Sequence, residues 1–179
     1  METLKAIENR KSARDYTEQP IEREKLEKIL WAGNRAPLGG AFHMTVIRDK
    51  ALLGEIDEAT LSAMKNSDNE FARGRAALPG YRPLYHAPVL IVLSAEDPAR
   101  GMSSVCNAVT AMSFAATDLG LGSCFVGSPI QVLGAGGAFF ARLGLPAGCK
   151  PLVGMLLGYA GADKFGRPRP AADNVNYVG

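Results

Sequence analysis

The chain has 179 residues, 47% of them apolar and 21% charged, and 20 basic against 18 acidic side chains leave a net charge of +2. That composition suits a chain that buries its own core, and it excludes both the clustered basic stripe of a nucleic-acid binder and the low hydropathy of a disordered chain. Three cysteines, Cys106, Cys124 and Cys149, form no C-x-x-C and have only two histidines beside them, which argues against a disulfide framework and a structural zinc site.

The first residues, METLKAIENRKSARDY, are charged from the second position and lack the apolar stretch of a secretory signal, so a cytoplasmic chain is expected. Thr3 is placed to cap a short helix carrying Leu4 and Ile7. A second, amphipathic helix is expected with Pro20 in its first turn, acidic Glu22 and Glu24 after it, Leu26, Ile29 and Leu30 on one face, and Gly33 near its stop. Residues 43–48 (HMTVIR) read as a strand and 50–66 as a helix. The segment 67–85 mixes charge, glycine and proline, which predicts an irregular excursion. Residues 87–94 (APVLIVLS) are a continuous β-rich apolar run and are expected to form a central buried strand. From 103 to 118, Val105, Val109, Met112 and Ala116 recur at helical spacing and the other faces are also mostly apolar, so a helix buried nearly all round is predicted. A short strand at 123–126, helices near 129–133 and 137–143, and a strand at 151–158 follow. With no internal repeat and no boundary visible, residues 1–179 are read as a single domain whose tail, DKFGRPRPAADNVNYVG, is too polar and Pro-rich to pack as a helix.

Charge is unevenly spread. Residues 1–75 carry 26 of the 38 charges, whereas between 101 and 141 the only charged side chain is Asp118. The uncharged run 119–141 is long enough to span a bilayer, but its six glycines, Pro129 and Gln131 could not keep a backbone satisfied in lipid. Part of so long an apolar stretch is expected to face a second subunit or a flat ligand, with burial in the chain's own core as the alternative.

Common chemical motifs are missing. Phe125 and Phe139 stand where the third glycine of G-x-G-x-x-G belongs, and there is no P-loop, no G-x-S-x-G elbow and no H-E-x-x-H. GAGGAF reads as a turn entering a helix. What remains is positive charge beside glycine. Arg10, Lys11, Ser12 and Arg14 follow the first helix, Lys164, Arg167 and Arg169 cluster in the tail, and LGLGSCFVGS (119–128) lets backbone approach a planar ligand closely. Guanidinium and hydroxyl donors such as Arg10, Ser12 and Arg169 suit a phosphate dianion, although RKSAR also reads as a solvated charge run.

Seven short runs occur in an order that resembles the FMN-dependent nitroreductase-like proteins: NRKSARDY (9–16), a helix ending in Arg35-Ala36-Pro37, YHAP (85–88) before a strand, LGLGSC (119–124), LGLP (143–146), Leu157-Gly158-Tyr159 and Arg169-Pro170. The resemblance covers nearly the whole chain. It implies an α+β, three-layer sandwich with a mixed, mostly antiparallel sheet covered by helices, assembled as an intertwined homodimer with FMN sites at the interface. It also implies that Arg10, Lys11 and Ser12 hold the phosphate and ribityl side, with a basic tail residue, Arg169 or else Lys164 or Arg167, completing the phosphate site. Arg14 would lie near the pyrimidine edge of the flavin, and Phe125, Val126, Gly127 and Ser128 would form the strand end against the ring, with the Gly127 amide donating to N5. Pro37, Leu38 and Gly39 match the loop that covers the partner subunit's flavin.

The activity implied is ping-pong transfer from NADH or NADPH through FMN to a nitroaromatic or a quinone, with Arg14 and Gly127 as the catalytic candidates. The alternatives are a flavin carrier or accessory protein with little turnover, or a same-fold flavoenzyme such as a dehalogenase or azoline dehydrogenase. His43 and His86 read first as a strand-end and a structural residue, and Cys124 as a small buried thiol. Phe71, Tyr81 and Tyr85 are candidates for a substrate lid or for a plain surface flap.

Overall fold

A computed structural model describes residues 2–162 and 173–178 of the chain. In chain order the elements are α1 (Thr3–Asn9), α2 (Arg23–Asn34), β1 (His43–Ile47), α3 (Lys50–Lys65), α4 (Glu70–Ala76), β2 (Val89–Ala95), α5 (Pro98–Asp118), β3 (Gly122–Val126), α6 (Ser128–Gly134), α7 (Gly137–Arg142) and β4 (Lys150–Gly158).

Alternation along the two longest strands sets the architecture. Every residue of β2 is buried, and successive side chains of a strand point to opposite faces, so both faces of the sheet must be covered. Val89, Ile91 and Leu93 of β2 join Val153, Met155 and Leu157 of β4 in one cluster, which α2 and α5 cover through Leu26, Ile29, Val105 and Met112. Leu90, Val92 and Leu156 point the other way, toward Leu53 and Ile56 of α3 and Ile130 and Leu133 of α6. Helices on both faces of one sheet make the three-layer sandwich. Its strand order is β1-β2-β4-β3, and each neighbouring pair is antiparallel. Among the described residues, parallel pairing is limited to one bridge from Ser12, outside the four strands, to Ser123 of β3. Full burial of one such aliphatic side chain contributes about 1.5–3 kcal/mol, so the two clusters on either side of β2 and β4 dominate stability.

Local sequence explains most element ends. Asp49 caps α3 by accepting from the Leu52 amide at 2.6 Å, and Asp97 caps α5 through the amides of Ala99 and Arg100, with Pro98 in the first turn. Gly33 is buried inside α2 because a Cβ there would meet Met112 of α5 at 3.0 Å.

Several expectations need correction. Thr3 does not cap α1: it is the first helical residue, and Glu2 occupies the cap position without a side-chain hydrogen bond. Pro20 lies ahead of α2 rather than in its first turn. The segment 67–85 contains a helix, α4, whose cap Asn69 accepts from the Ala72 amide, with Glu70 in the first turn and Arg73 and Arg75 in the last. Helix α5 begins five residues earlier than expected and is not buried all round, since Met102, Ser103, Asn107 and Thr110 are exposed. Its apolar stripe, Val105, Val109, Met112 and Ala116, is used by the chain's own core.

Candidate functional site

The N-terminal arm is built onto the sheet by a missing side chain. At Arg10 the chain leaves α1 with extended dihedrals, and Ala13 donates to the Ser123 carbonyl at 2.9 Å while Ser12 bridges Ser123. A Cβ on Gly122 would meet the Cβ of Ala13 at 2.8 Å and that of Ala160 at 3.1 Å, so glycine is what lets the arm lie so close. Further on, Tyr16 bridges Ala160 and Thr17 donates to the Tyr159 carbonyl at 2.9 Å, extending the contact to the end of β4. Residues two apart in an extended segment share a side. Arg10, Ser12 and Arg14 therefore form one row, while Ala13 is fully buried beneath it.

Arg10 shares a pocket with an aromatic residue in an unusual position. Ser123, Cys124 and Val126 of β3 are buried, but Phe125 between them is 52% exposed. Arg10 and Phe125 line a pocket of about 190 Å³ with Ser123, Thr110, Ser113 and Met155. Gly127, exposed, follows Phe125 and Val126 at the turn into α6, and Ser128 begins that helix. The structure thus sets Arg10 beside Phe125 and Ser12 beside Ser123, while Arg14 lines a different pocket. Lys11 lies in the same arm.

Arg14 opens onto a second, larger pocket of about 770 Å³, shared with Arg75, Leu78, Tyr81, Arg82, Tyr85 and others. Its far side depends on one buried carboxylate. Asp57 of α3, 6% exposed, accepts from the Leu84 amide at 2.6 Å and pairs with Arg82, fixing the turn that precedes β2. Within that turn Tyr85 and His86 both adopt positive φ, 51° and 63°. Two consecutive non-glycine residues in the left-handed region store strain, which the Asp57 contacts hold in place. Tyr85 accepts a hydrogen bond from Arg75 at 2.8 Å and stacks edge to face with Tyr81 at 5.9 Å. Burial first, then the neighbouring Tyr81, pushes the Tyr85 phenol up to about 12, so it stays protonated at neutral pH.

Pro37, Leu38 and Gly39 lie elsewhere. Ser104 of α5 accepts from the amides of Gly39 and Gly40, each at 2.9 Å, and Asn107 donates to the Pro37 carbonyl, so the loop is fastened on α5 with Leu38 62% exposed. It lines neither pocket of its own chain. Lys164, Arg167 and Arg169 lie outside the described residues. His43 is exposed at the start of β1, His86 stands at the rim of the larger pocket, and Cys124 is buried. Sequence reasoning missed Ser123 as the anchor of the arm and Arg75 as a pocket wall. The signal for Arg75 was present in Asn69-Glu70 followed by two arginines, a capped helix with complementary charges.

Among the described residues no group of side chains suits a metal ion, and no helix is long and apolar enough to cross a membrane. The model of the nitroreductase family matches residues 7–159. A curated relative, FMN reductase [NAD(P)H] of Bacillus subtilis, is 27% identical over 98% of this chain and 73% of its own. A nitroreductase with bound FMN from Desulfitobacterium hafniense has a TM-score of 0.88 at 28% identity, with each chain fully covered. Another, from Bacteroides fragilis and also with bound FMN, has a TM-score of 0.83 at 27% identity, covering 99% of this chain and 98% of that one.

Proposed function

This chain belongs to the nitroreductase family, and from that premise we propose that it binds FMN and works as an NAD(P)H oxidoreductase that reduces quinones or nitroaromatics. The observation that carries the reading is the basic arm, Arg10 to Arg14, bridged to β3 at Ser12, with Arg10 and a half-exposed Phe125 on one pocket. The donor set fits the cofactor. Arg10, Lys11 and Ser12 offer charged and hydroxyl donors for a phosphate and ribityl chain, with Arg169, or Lys164 or Arg167, as the tail residue that completes them. Phe125, Val126 and Gly127 offer a flat, uncharged strand end for a ring, with Ser128 next to it.

Bound FMN would supply hydride acceptance from NAD(P)H and two-electron delivery to the acceptor. The chain's own residues bind, orient and tune. Arg14 would set a positive charge at the pyrimidine edge, where it would favour the reduced ring, and the Gly127 amide would donate toward N5. In balance, NAD(P)H and a proton convert a quinone to its hydroquinone, or a nitro group to a nitroso group and water. The whole chain acts as one FMN-binding unit in the cytoplasm.

The unit is a homodimer in this reading. Leu4, Ile7, Leu38, Met102 and Phe125 are exposed apolar side chains, Met102 and Phe125 within the stretch 101–141 whose one charged side chain is Asp118, and a second copy would cover them. A loop that lines neither pocket of its own chain, Pro37 to Gly39, would then cover the partner's flavin. Steady-state oxidation of NADH or NADPH with menadione or a nitroaromatic tests the activity. A flavin-loaded protein that oxidises neither donor would reduce this reading to flavin binding alone.

A further inference from the structure

The larger pocket carries more positive charge than the flavin reading requires. Arg14, Arg75 and Arg82 line it against one carboxylate, Asp15. Arg82 is held by Asp57 and Glu58, and Arg14 is the residue assigned to the flavin edge. Arg75 differs from both. It is half-buried at the end of α4, and among the described residues no carboxylate lies within ion-pair distance of it. Its guanidinium is held by rings instead: it sits 5.2 Å from the Tyr81 centroid and 5.9 Å from that of Phe71, and donates to the Tyr85 hydroxyl. An aromatic cradle fixes the direction of the planar fork without neutralising it, leaving it able to take a carboxylate.

Resting on the reading above, we propose that this pocket selects planar aromatic electron acceptors that carry an acidic group, and that Arg75 is the residue that determines that specificity. Leu78, Tyr81 and Tyr85 supply apolar and ring surface for an aromatic body, and Arg75 supplies a fixed cation for its anionic substituent. The same positive charge suits a second source of anion, the phosphates of the nicotinamide donor. The ring walls around Arg75 favour the acceptor, since a pyrophosphate has no use for them.

The test uses the FMN-loaded protein and two probes of nearly equal shape, 4-nitrobenzoate and its methyl ester. Affinities are read from the change each makes in the flavin spectrum of the oxidised protein, without turnover. The parent is expected to bind the acid at least about tenfold more tightly than the ester, the effect of one hydrogen-bonded charge. In Arg75→Gln the ratio falls to near one while the protein keeps its FMN, and Arg75→Lys restores part of it. Equal affinities in the parent overturn the proposal. So does an Arg75→Gln variant that loses FMN or shifts its reduction potential, which would make Arg75 a cofactor contact. A variant that keeps the acid preference but is reduced more slowly by NADPH in stopped flow would assign the cation to the donor, again against the proposal. A parent protein that binds no FMN removes the underlying reading and this inference together, whereas a flavin-loaded, NAD(P)H-reducible protein indifferent to the probes removes only the inference.

Discussion

Replacing Gly122 by alanine tests how the arm is held. The added Cβ would stand 2.8 Å from the Ala13 Cβ and 3.1 Å from the Ala160 Cβ, where carbon atoms prefer about 3.5–4.0 Å. Both opposing atoms are fixed to backbone, so no side chain can rotate away. Overpacking of this kind costs about 1–3 kcal/mol, and it must appear in one of two places. If the arm stays, the folded state loses that amount, read as a lower urea midpoint at unchanged slope. If the arm lifts, the 2.9 Å bond from Ala13 to Ser123 opens and Arg10, Ser12 and Arg14 leave their row. FMN affinity then falls about tenfold to a hundredfold, since about 1.4 kcal/mol is a factor of ten. Urea unfolding and fluorescence titration with FMN, run on the same preparation, capture both. Gly54→Ala is the control: it sits in α3 with nothing within 4 Å of its added Cβ, and it is expected to gain about 0.5–1 kcal/mol from helix propensity. Parent stability together with parent FMN affinity in Gly122→Ala would refute the close-approach argument.

Three further outcomes follow from the same geometry. Arg10→Ala removes one charged donor of the proposed phosphate site and is expected to weaken FMN binding by about tenfold to a hundredfold, measured by equilibrium dialysis; unchanged affinity would take Arg10 out of the site. Arg14→Gln is expected to lower the flavin reduction potential, because the charge that favours the reduced ring is gone; an unchanged potential in spectroelectrochemistry would place Arg14 away from the ring. Tyr85 has its phenol raised from 10.0 to about 12, so the folded chain holds that proton more tightly than the unfolded chain, and its contribution is full below about pH 10 and lost as pH rises toward 12. Tyr85→Phe should flatten the fall of stability across that window in urea titrations, and parallel curves would contradict the burial of this hydroxyl.

The sequence was most legible where one physical signal stood alone. A seven-residue strand buried along its whole length can only read as a continuous apolar run, and β2 does. The uncharged stretch announced α5, but the expected start followed the apolar residues and overlooked Asp97-Pro98, a cap followed by a first-turn proline. Helix α4 was hidden by the glycines and prolines around it, although Asn69, Glu70 and the two arginines at its end mark a capped helix. Of the site, the spacing of Arg10, Ser12 and Arg14 was visible as a charged run near glycines. What no local pattern contained was the pairing of that run with Ser123, or the Asp57 contacts to Leu84 and Arg82, which join residues 27 and 25 positions apart and exist only once the sandwich has formed. The apolar stripe of α5 was visible too, but its destination was not. Whether Val109 and Met112 met a partner or a core depended on α2 and the sheet lying against them.

The central claim is that the arm and the β3 edge hold an FMN that passes electrons from a nicotinamide to an acceptor. The most direct measurement is the visible spectrum of the purified protein under anaerobic conditions, before and after NADH or NADPH is added, and again after menadione. The account predicts about one bound FMN per chain, bleached by at least one of the two donors and restored by the quinone. A protein that carries no flavin and takes up none when FMN is supplied, or one whose bound flavin neither donor bleaches, would contradict it.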